Sequence, residues 1–352
     1  MVEPLPHVRE IPPYVPGKPP APRPGVTVFK LSSNENPYPP LPGVVEAAER
    51  AVAQMNRYPD MGCADLYDAL AERLGFPVEQ IAAATGSVAL IYHLLTAYCG
   101  PGDEVVHAWR SFEAYPIAVT AAGATGVTVP VTEDGRHDLP AMRAAITERT
   151  RVLMLCTPNN PTGPALRHSE VAELVASVPE HVLVVLDEAY HEFVRMDDAL
   201  DAPALLRRHP NVVLFRTLSK AYGLAGLRVG YAVAAPEVAG ALRAVSLPFG
   251  VSAVAQAAAV ASLAAEDELM KRVEALVAER DRVVAGIADA GWSVPEPQGN
   301  FVWFATGERT PAFVAAAEEA GLTVRPFAGE GVRVTIGEPE ANDRLVALLR
   351  DL

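Results

Sequence analysis

The fold is decided by RVLMLCTPNNPTG at Arg151–Gly163 and by HVLVVLDEAY at His181–Tyr190. Each stretch begins with a short apolar run that lacks polar alternation, and polar or turn-forming residues follow the run at once. Runs of this kind predict parallel strands that are buried on both faces of a sheet. The two stretches therefore predict an open α/β sheet, which binds ligands beyond the carboxyl ends of its strands.

Strand-like and helix-like segments alternate on both sides of these stretches. The predicted strands are Glu104–His107, Gly126–Val131, Arg151–Cys156, His181–Asp187, Val212–Phe215 and Arg228–Val233. The predicted helices are Val44–Gln54, Ala64–Leu74, Ser87–Tyr98, Glu113–Ala122, Leu139–Thr147, His168–Ser177 and Pro236–Ala244. This alternation predicts a large α/β domain, at residues 44–247, around a parallel sheet.

After Pro248 the pattern changes to two long helices followed by short strands and helices. Helices are predicted at Ser252–Ala265, Asp267–Ala290 and Pro311–Ala320 and from Pro339 onward, and strands at Asn300–Phe304, Thr323–Arg325 and Val332–Thr335. Strands and helices in this irregular order predict a smaller α+β domain at residues 248–352.

Proline is concentrated at the start of the chain, where 13 of the 32 prolines fall within residues 1–42. Because proline has no N–H and a fixed φ, this density excludes a helix or a central strand. Residues 1–43 are therefore predicted to form an extended arm that lies on another part of the protein or on a second subunit.

The composition limits the partners of the chain. It has 352 residues, and half of them are hydrophobic, which indicates a folded protein. Its formal net charge of −14 excludes duplex nucleic acid and anionic membranes as partners. The sequence has no apolar run long enough to span a bilayer and no apolar leader at its N-terminus. Cys63, Cys99 and Cys156 are too scattered for disulfides or zinc, and no histidine spacing indicates a metal. A cytoplasmic protein without a metal site is predicted.

Lys220, in RTLSKAYGLAGLRVG at Arg216–Gly230, is one of only four lysines in the chain. Its small and apolar neighbours predict desolvation, which lowers the pKa of the amine and lets it attack a carbonyl. Thr217, Ser219 and Arg228 supply hydroxyls and a guanidinium that suit a phosphate. An exposed lysine in a loop is the alternative interpretation.

Asp187 and Tyr190 follow the second apolar strand, at the edge where open α/β sheets bind ligands. The carboxylate of Asp187 can pair with a protonated ring nitrogen, and Tyr190 can reach a phenolic oxygen of the same ring. Asn160, in the turn after the first strand, can donate to an oxygen of that ligand. An aspartate that caps a helix and a plain strand-to-helix turn are the alternatives.

Two further positions indicate anion binding. Gly86 and Ser87 open a predicted helix, whose free N–H groups and dipole attract anions, although many helices begin this way. Arg333 lies in the apolar strand GVRVTIG, where a guanidinium needs a carboxylate from the protein or from a ligand. An arginine exposed on an edge strand is the alternative.

Together these residue types match the needs of pyridoxal phosphate transamination. Asp187 keeps the pyridine nitrogen protonated so that the ring withdraws electrons, and Lys220 exchanges with the substrate amine and moves the proton. The sequence contains no nucleotide P-loop, no GxGxxG and no GxSxG elbow, which are the motifs of competing chemistries.

Several motifs carry a resemblance to a known family. LSSNENPYPP, RYPD, TPNNPTG, LDEAY, TLSKAYGLAGLRVG, NFVWF and VRVTIG follow one another from about Lys30 to the C-terminus. In these motifs the chain resembles the fold-type I pyridoxal-phosphate aminotransferases of the histidinol-phosphate aminotransferase branch. The resemblance implies a mostly parallel seven-stranded sheet in a large domain, a smaller α+β C-terminal domain, bound pyridoxal 5'-phosphate and a homodimer.

The resemblance also implies roles for the residues that match its motifs. Lys220 is the lysine that carries the cofactor, Asp187 pairs with the pyridine nitrogen, and Tyr190 and Asn160 bind the phenolic oxygen. The other implied roles are stacking by Phe112, phosphate binding by Ser87, Thr217, Ser219 and Arg228, phosphate binding in the neighbouring subunit by Tyr58, carboxylate binding by Arg333, and closure over the substrate by Asn34 to Tyr38.

The strings GSVAL, WRSFEAYP and RPFAGEGVRVTIGE are similar to those of actinobacterial aromatic amino acid aminotransferases. The acidic pair that often follows the phosphate-binding glycine in histidinol-phosphate enzymes is absent. Aromatic L-amino acids (Phe, Tyr, Trp) are therefore the predicted donors, with a 2-oxo acid, 2-oxoglutarate, as acceptor. Histidinol phosphate is the alternative donor, because Arg325 can bind its phosphate, and a decarboxylase with the same cofactor site is a further alternative.

Overall fold

The structure is a computed structural model that describes residues 2–17 and 25–352. The helices of these residues are α1 (Pro6–Arg9), α2 (Pro42–Val52), α3 (Ala64–Leu74), α4 (Ser87–Tyr98), α5 (Ala114–Ala121), α6 (Leu139–Ala144), α7 (His168–Ser177), α8 (Ala202–Arg208), α9 (Pro236–Ala244), α10 (Ala253–Ala264), α11 (Glu266–Asp289), α12 (Thr310–Glu319) and α13 (Pro339–Leu349). The strands are β1 (Phe29–Lys30), β2 (Ile81–Ala84), β3 (Glu104–Trp109), β4 (Thr125–Pro130), β5 (Thr150–Cys156), β6 (Leu183–Asp187), β7 (Val212–Thr217), β8 (Gly230–Val233), β9 (Phe301–Phe304), β10 (Leu322–Thr323), β11 (Arg325–Phe327) and β12 (Gly331–Thr335). None of these helices is both long enough and apolar enough to cross a membrane.

Seven strands form the large sheet, in the order β2-β8-β7-β6-β5-β3-β4. β8 runs antiparallel to β2 and β7, and the other neighbouring pairs are parallel. The prediction of a mostly parallel, seven-stranded sheet is confirmed. The pattern did not indicate β2, because IAAA contains only one large apolar residue.

The central strands carry apolar side chains on both faces, which explains why their sequences lack polar alternation. In β5, Leu153 and Leu155 belong to one hydrophobic core, and Val152 and Met154 belong to the core on the opposite face. The first core includes side chains of α2, α3, α7 and α10, and the second includes side chains of α4, α5 and α9. Helices therefore cover both faces, so a ligand meets the sheet at its strand ends.

A second unit is built around the antiparallel sheet β11-β12-β9 and the short parallel pair β1-β10. Phe304 of β9, Phe313 of α12, Val334 of β12 and Leu345 of α13 lie in its core. Leu31, which follows β1, is fully buried in the same core. The N-terminal segment is thus anchored to the second unit of its own chain.

Helix α11 takes part in both cores. Leu269 and Val273, near its start, pack in a core of the large sheet, whereas Val283 and Ile287, near its end, pack in the second unit. Helix α10 packs against α2 and α3. The division of the chain into residues 1–43, 44–247 and 248–352 stays a prediction, and the two cores meet within α11.

The prediction that residues 1–42 contain no helix was wrong at both ends of that segment. Pro6 begins α1 and Pro42 begins α2, because proline is tolerated in the first turn of a helix, where its missing N–H needs no partner. Residues 18–24 of the predicted arm lie outside the described residues.

Candidate active site

A cavity of about 220 Å³ lies where the carboxyl ends of β5, β6 and β7 meet β11 and β12 of the second unit. Most residues that were predicted for the site line this cavity. They are Ser87, Phe112, Asn160, Asp187, Tyr190, Thr217, Ser219, Lys220, Arg228, Arg325 and Arg333. Because most of them follow different strands, the fold brings them together from distant parts of the chain.

Lys220 follows the end of β7. Its Nζ donates a hydrogen bond to the backbone oxygen of Ser33, 3.1 Å away. Burial of the ammonium group, and next the charge of Arg333, lower the pKa of Lys220 to about 7. A substantial part of the amine is therefore neutral near pH 7, as attack on a carbonyl requires.

Asp187 is the last residue of β6, and its side chain is buried. Its Oδ2 accepts a hydrogen bond from the hydroxyl of Tyr115 at 2.7 Å, and its Oδ1 is buried without a partner among the described residues. Burial raises the pKa of Asp187 to about 6. A buried carboxylate oxygen without a donor is rare in folded proteins, and a protonated ring nitrogen would supply that donor.

Tyr190 and Asn160 lie on the same side of the cavity. The hydroxyl of Tyr190 accepts a hydrogen bond from Nδ2 of Asn34 at 2.9 Å, and burial raises the pKa of this phenol. Oδ1 of Asn160 accepts a hydrogen bond from Nη1 of Arg333 at 2.6 Å. Nζ of Lys220 lies 5.8 Å from the centre of the Tyr190 ring. Tyr190 thus lies beside the lysine amine, and Asn160 lines the same cavity.

Hydroxyls, a guanidinium and a helix start also come together in the lining of the cavity. Nη1 of Arg228 donates to Oγ of Ser219 at 3.2 Å, and the hydroxyl of Thr217 lies 3.0 Å from the same Oγ. Gly86 precedes α4 with φ of +84°, and a Cβ there would lie 2.5 Å from Nη2 of Arg228. Only glycine lets the guanidinium approach the first turn of α4, whose N–H groups attract anions. This region suits a phosphate.

Two arginines of the second unit complete the cavity. Arg325 of β11 and Arg333 of β12 are register partners. Nη2 of Arg333 donates to the backbone oxygen of Ser32 at 2.8 Å, while its Nε is buried without a partner among the described residues. An unused guanidinium N–H that lines a cavity suits a ligand carboxylate. Arg325, by contrast, is ion-paired with Glu113.

Comparisons with known proteins agree with this geometry. Residues 26–349 match the family of class I and II aminotransferases. The chain belongs to that family. Aromatic amino acid aminotransferases of Streptomyces avermitilis and Streptomyces coelicolor are 60% and 57% identical to it over 333 residues, which cover 95% of this chain and 92% of each relative. The crystal structure of histidinol-phosphate aminotransferase from Sinorhizobium meliloti in complex with pyridoxal-5'-phosphate has a TM-score of 0.86 at 31% identity, over 92% of this chain and 90% of that one.

The predictions of the fold, of an aminotransferase and of pyridoxal phosphate as its cofactor are therefore confirmed. The residues of this aminotransferase also fit the cofactor by their own geometry. Oδ1 of Asp187 lacks the donor that a pyridinium supplies, Lys220 offers an amine, and Arg228 with the start of α4 offers a phosphate site. Residues 2–17 and 25–352 contain no group of His, Cys, Asp and Glu side chains that is arranged to hold a metal ion.

Three predicted residues lie outside the lining of the cavity. Asn34 contacts it through the hydroxyl of Tyr190. Tyr38 lies further out, with the guanidinium of Arg272 6.0 Å from the centre of its ring. Tyr58 is 82% exposed and stacks on Phe249 with ring centres 4.6 Å apart. The structure of one chain thus places Tyr58 on the surface and not in the cavity of its own subunit.

The sequence did not reveal three residues that shape the cavity. Tyr115 holds Asp187, and its ring meets that of Phe112 edge to face at 5.6 Å. Glu113 pairs with Arg325, and the backbone of Ser33 accepts from Lys220. Glu113 and Tyr115 lie within WRSFEAYP, where the signal in the sequence is a polar residue directly beside Phe112.

Proposed function

We propose that this aminotransferase transfers the amino group of an aromatic L-amino acid (Phe, Tyr or Trp) to a 2-oxo acid, with 2-oxoglutarate as the expected acceptor. The proposal rests on one observation. A single cavity is lined both by aromatic rings and by an arginine that can bind a carboxylate. Phe112 and Phe327 line it together with Arg333, whose Nε is unused. The names of the two Streptomyces relatives support the same substrate class.

Each part of the cavity has a distinct task in this proposal. Bound pyridoxal phosphate supplies an electron-withdrawing ring that stabilises negative charge at the substrate Cα. Asp187 holds a proton on the ring nitrogen, because a buried carboxylate stabilises a neighbouring cation. Tyr190 donates to the phenolic oxygen through its hydroxyl, and Asn160 does so through its amide nitrogen. These contacts orient the ring.

Lys220 is the group that moves protons. With a pKa of about 7 its amine accepts a proton from the substrate Cα and returns it without a large energetic cost near neutral pH. Arg333 binds the α-carboxylate and so holds Cα within reach of that amine. The phosphate is held by Arg228, Ser219 and the first turn of α4 together with Thr217 and Ser87, while Phe112 stacks on the ring.

A single-turnover half-reaction tests the donor. The pyridoxal form is mixed with L-phenylalanine or with L-histidinol phosphate, and the change in cofactor absorbance is followed in each case. Faster conversion by phenylalanine is the expected result, and faster conversion by histidinol phosphate overturns the proposal. A decarboxylase would release carbon dioxide from its donor without any 2-oxo acid, which a trapping assay detects.

The proposal includes a homodimer in which Tyr58 binds the phosphate in the neighbouring subunit. Tyr58 stacks on Phe249, and the exposed side chains of Phe249, Met61 and Leu247 line one depression of the surface. Contiguous apolar surface of this kind is typical of a protein interface. Cys63, Cys99 and Cys156 form no disulfide, which supports a cytoplasmic location.

Mixed dimers test the position of Tyr58. Tyr58→Ala is expected to weaken cofactor binding by about tenfold, because a hydrogen bond to a phosphate is lost. At a cofactor concentration that loads the wild-type protein but not Tyr58→Ala, mixing Tyr58→Ala with Lys220→Ala should restore activity, because each mixed dimer has one intact site and carries both changes in the other site. Failure of mixing to restore activity contradicts a shared site.

A further inference from the structure

The part of the cavity that is lined by β11 and by the start of α5 has a charge arrangement of its own. We call Glu113, Arg325 and Phe327 the distal wall; all three line the cavity. Arg325 is buried, and its Nη2 is ion-paired with Oε2 of Glu113. Its guanidinium carbon lies 5.4 Å from the centre of the Phe327 ring. The charge of Arg325 is thus already matched by a carboxylate of the protein.

A second ion pair lies behind this wall. The guanidinium carbon of Arg110 is 5.3 Å from the centre of the Phe327 ring, and Arg110 pairs with Glu330. Neither Arg110 nor Glu330 lines the cavity. Phe327 therefore contacts two guanidinium groups, each of which is neutralised by a glutamate, and the wall offers a ligand aromatic surface without net charge.

The Arg325–Glu113 ion pair affects the binding of the two candidate donors differently. A flat uncharged ring can pack on Phe327 and the guanidinium plane without disturbing the pair. A phosphate dianion that approaches Arg325 must either displace Glu113 or lie beside its carboxylate. Both outcomes are costly, because the buried guanidinium of Arg325 loses its partly buried partner or like charges are brought together.

We propose that Glu113 is a specificity-determining residue, which selects donors with an uncharged aromatic side chain against donors with a distal phosphate. This inference rests on the proposed function and names the group that enforces it. Selectivity here comes from a repulsive element as well as from attractive contacts. Glu113 lies at the start of α5 but makes no side-chain cap hydrogen bond there, so its replacement leaves the helix end intact.

The test compares Glu113→Gln with Glu330→Gln in the holoenzyme. Both changes remove one carboxylate from an arginine pair near Phe327, but only the first pair lines the cavity. Each protein is mixed in single turnover with L-phenylalanine and with L-histidinol phosphate, and the apparent affinity and maximal rate are separated. Glu113→Gln should raise kcat/KM for histidinol phosphate by about tenfold or more through KM, with phenylalanine changed by less than about threefold. Glu330→Gln should change neither donor.

A double variant tests whether the gain in kcat/KM for histidinol phosphate depends on the positive charge of Arg325. Adding Arg325→Gln to Glu113→Gln should remove the gain for histidinol phosphate, because the phosphate then has no cation to meet. The inference is overturned if Glu113→Gln gives no gain, if both donors gain equally, or if Glu330→Gln gives the same gain. It fails together with the proposed function if the wild-type protein already prefers histidinol phosphate. A wild-type preference for phenylalanine with no effect of Glu113→Gln overturns the inference alone.

Discussion

Two parts of the cavity, which we call the cofactor end and the distal wall, are built in opposite ways. At the cofactor end, Asp187 has an oxygen and Arg333 has an N–H without a partner among the described residues, and Lys220 has a lowered pKa. At the distal wall, Arg325 is already satisfied by Glu113. Buried groups with unused bonding capacity mark where ligand atoms bind, and satisfied charges mark what the site excludes.

The largest effect should come from the amine at the cofactor end. Lys220→Ala removes the group that bonds the cofactor and moves the proton, so the half-reaction with phenylalanine should slow by about 10⁴-fold or more. Stopped-flow measurement of cofactor absorbance gives the rate. Lys271→Ala, at an exposed position of α11, is the matched control and should react at the wild-type rate. Wild-type turnover by Lys220→Ala would remove the assigned role.

The next effect should come from the carboxylate with the unpaired oxygen. Asp187→Ala leaves the ring nitrogen without its anion, and the rate of proton removal from Cα should fall by about 10²- to 10³-fold. The measurement is the rate of the half-reaction, with circular dichroism to check that the fold is retained. An unchanged rate in a folded protein contradicts the electron-sink role of this aspartate.

Arg333 links the two ends, and its loss should act on binding more than on rate. Arg333→Met should raise the KM for phenylalanine by about 10- to 100-fold, because a charge-assisted hydrogen bond to the α-carboxylate is lost. Histidinol phosphate has no carboxylate, so its KM should change less. Equal KM values for phenylalanine before and after the change would show that another group binds the carboxylate.

Tyr115 should have the smallest effect and a distinct pH dependence. Its hydroxyl stabilises the Asp187 carboxylate and so lowers the pKa of Asp187, against the larger effect of burial, which raises it. In Tyr115→Phe this pKa should rise further above about 6, so that the carboxylate forms only at higher pH. Cofactor affinity should fall by about fivefold, and by more at pH 6 than at pH 8.

Equilibrium titration of the apoprotein with cofactor at both pH values measures this difference. Tyr222→Phe is the control, because its hydroxyl donates to Glu266 at 3.2 Å outside the cavity. It should leave the cofactor affinity unchanged at either pH. A pH-independent loss in Tyr115→Phe would mean that Tyr115 only fills space beneath Asp187.

The cofactor end could be predicted from the sequence because its residues follow strands whose patterns are local. Asp187 ends one apolar strand and Asn160 lies in the turn after another, and the ends of parallel strands meet at one edge of a sheet. Helix α8 was missed, although Asp201 caps it and Pro203 lies in its first turn. With seven residues, α8 is too short to show a recognisable helical repeat of apolar residues.

The distal wall could not be predicted in the same way. Glu113 and Arg325 are 212 residues apart, and their pairing depends on how the second unit packs against the large sheet. The contact between Tyr115 and Asp187 joins α5 to β6 and likewise depends on tertiary packing. Sequence pattern indicates which residues are charged, but the fold decides which charges are neutralised and which remain for a ligand.

The position of α11 has a consequence for the stability of the whole molecule. This one helix buries Leu269 and Val273 in one core and Val283 and Ile287 in the other. Unfolding of either core exposes apolar side chains of α11 and destabilises the part of this helix that packs in the other core. The two cores are therefore coupled in their free energy of unfolding. Heating should therefore melt both units in a single cooperative transition, and neither should survive as a stable fragment.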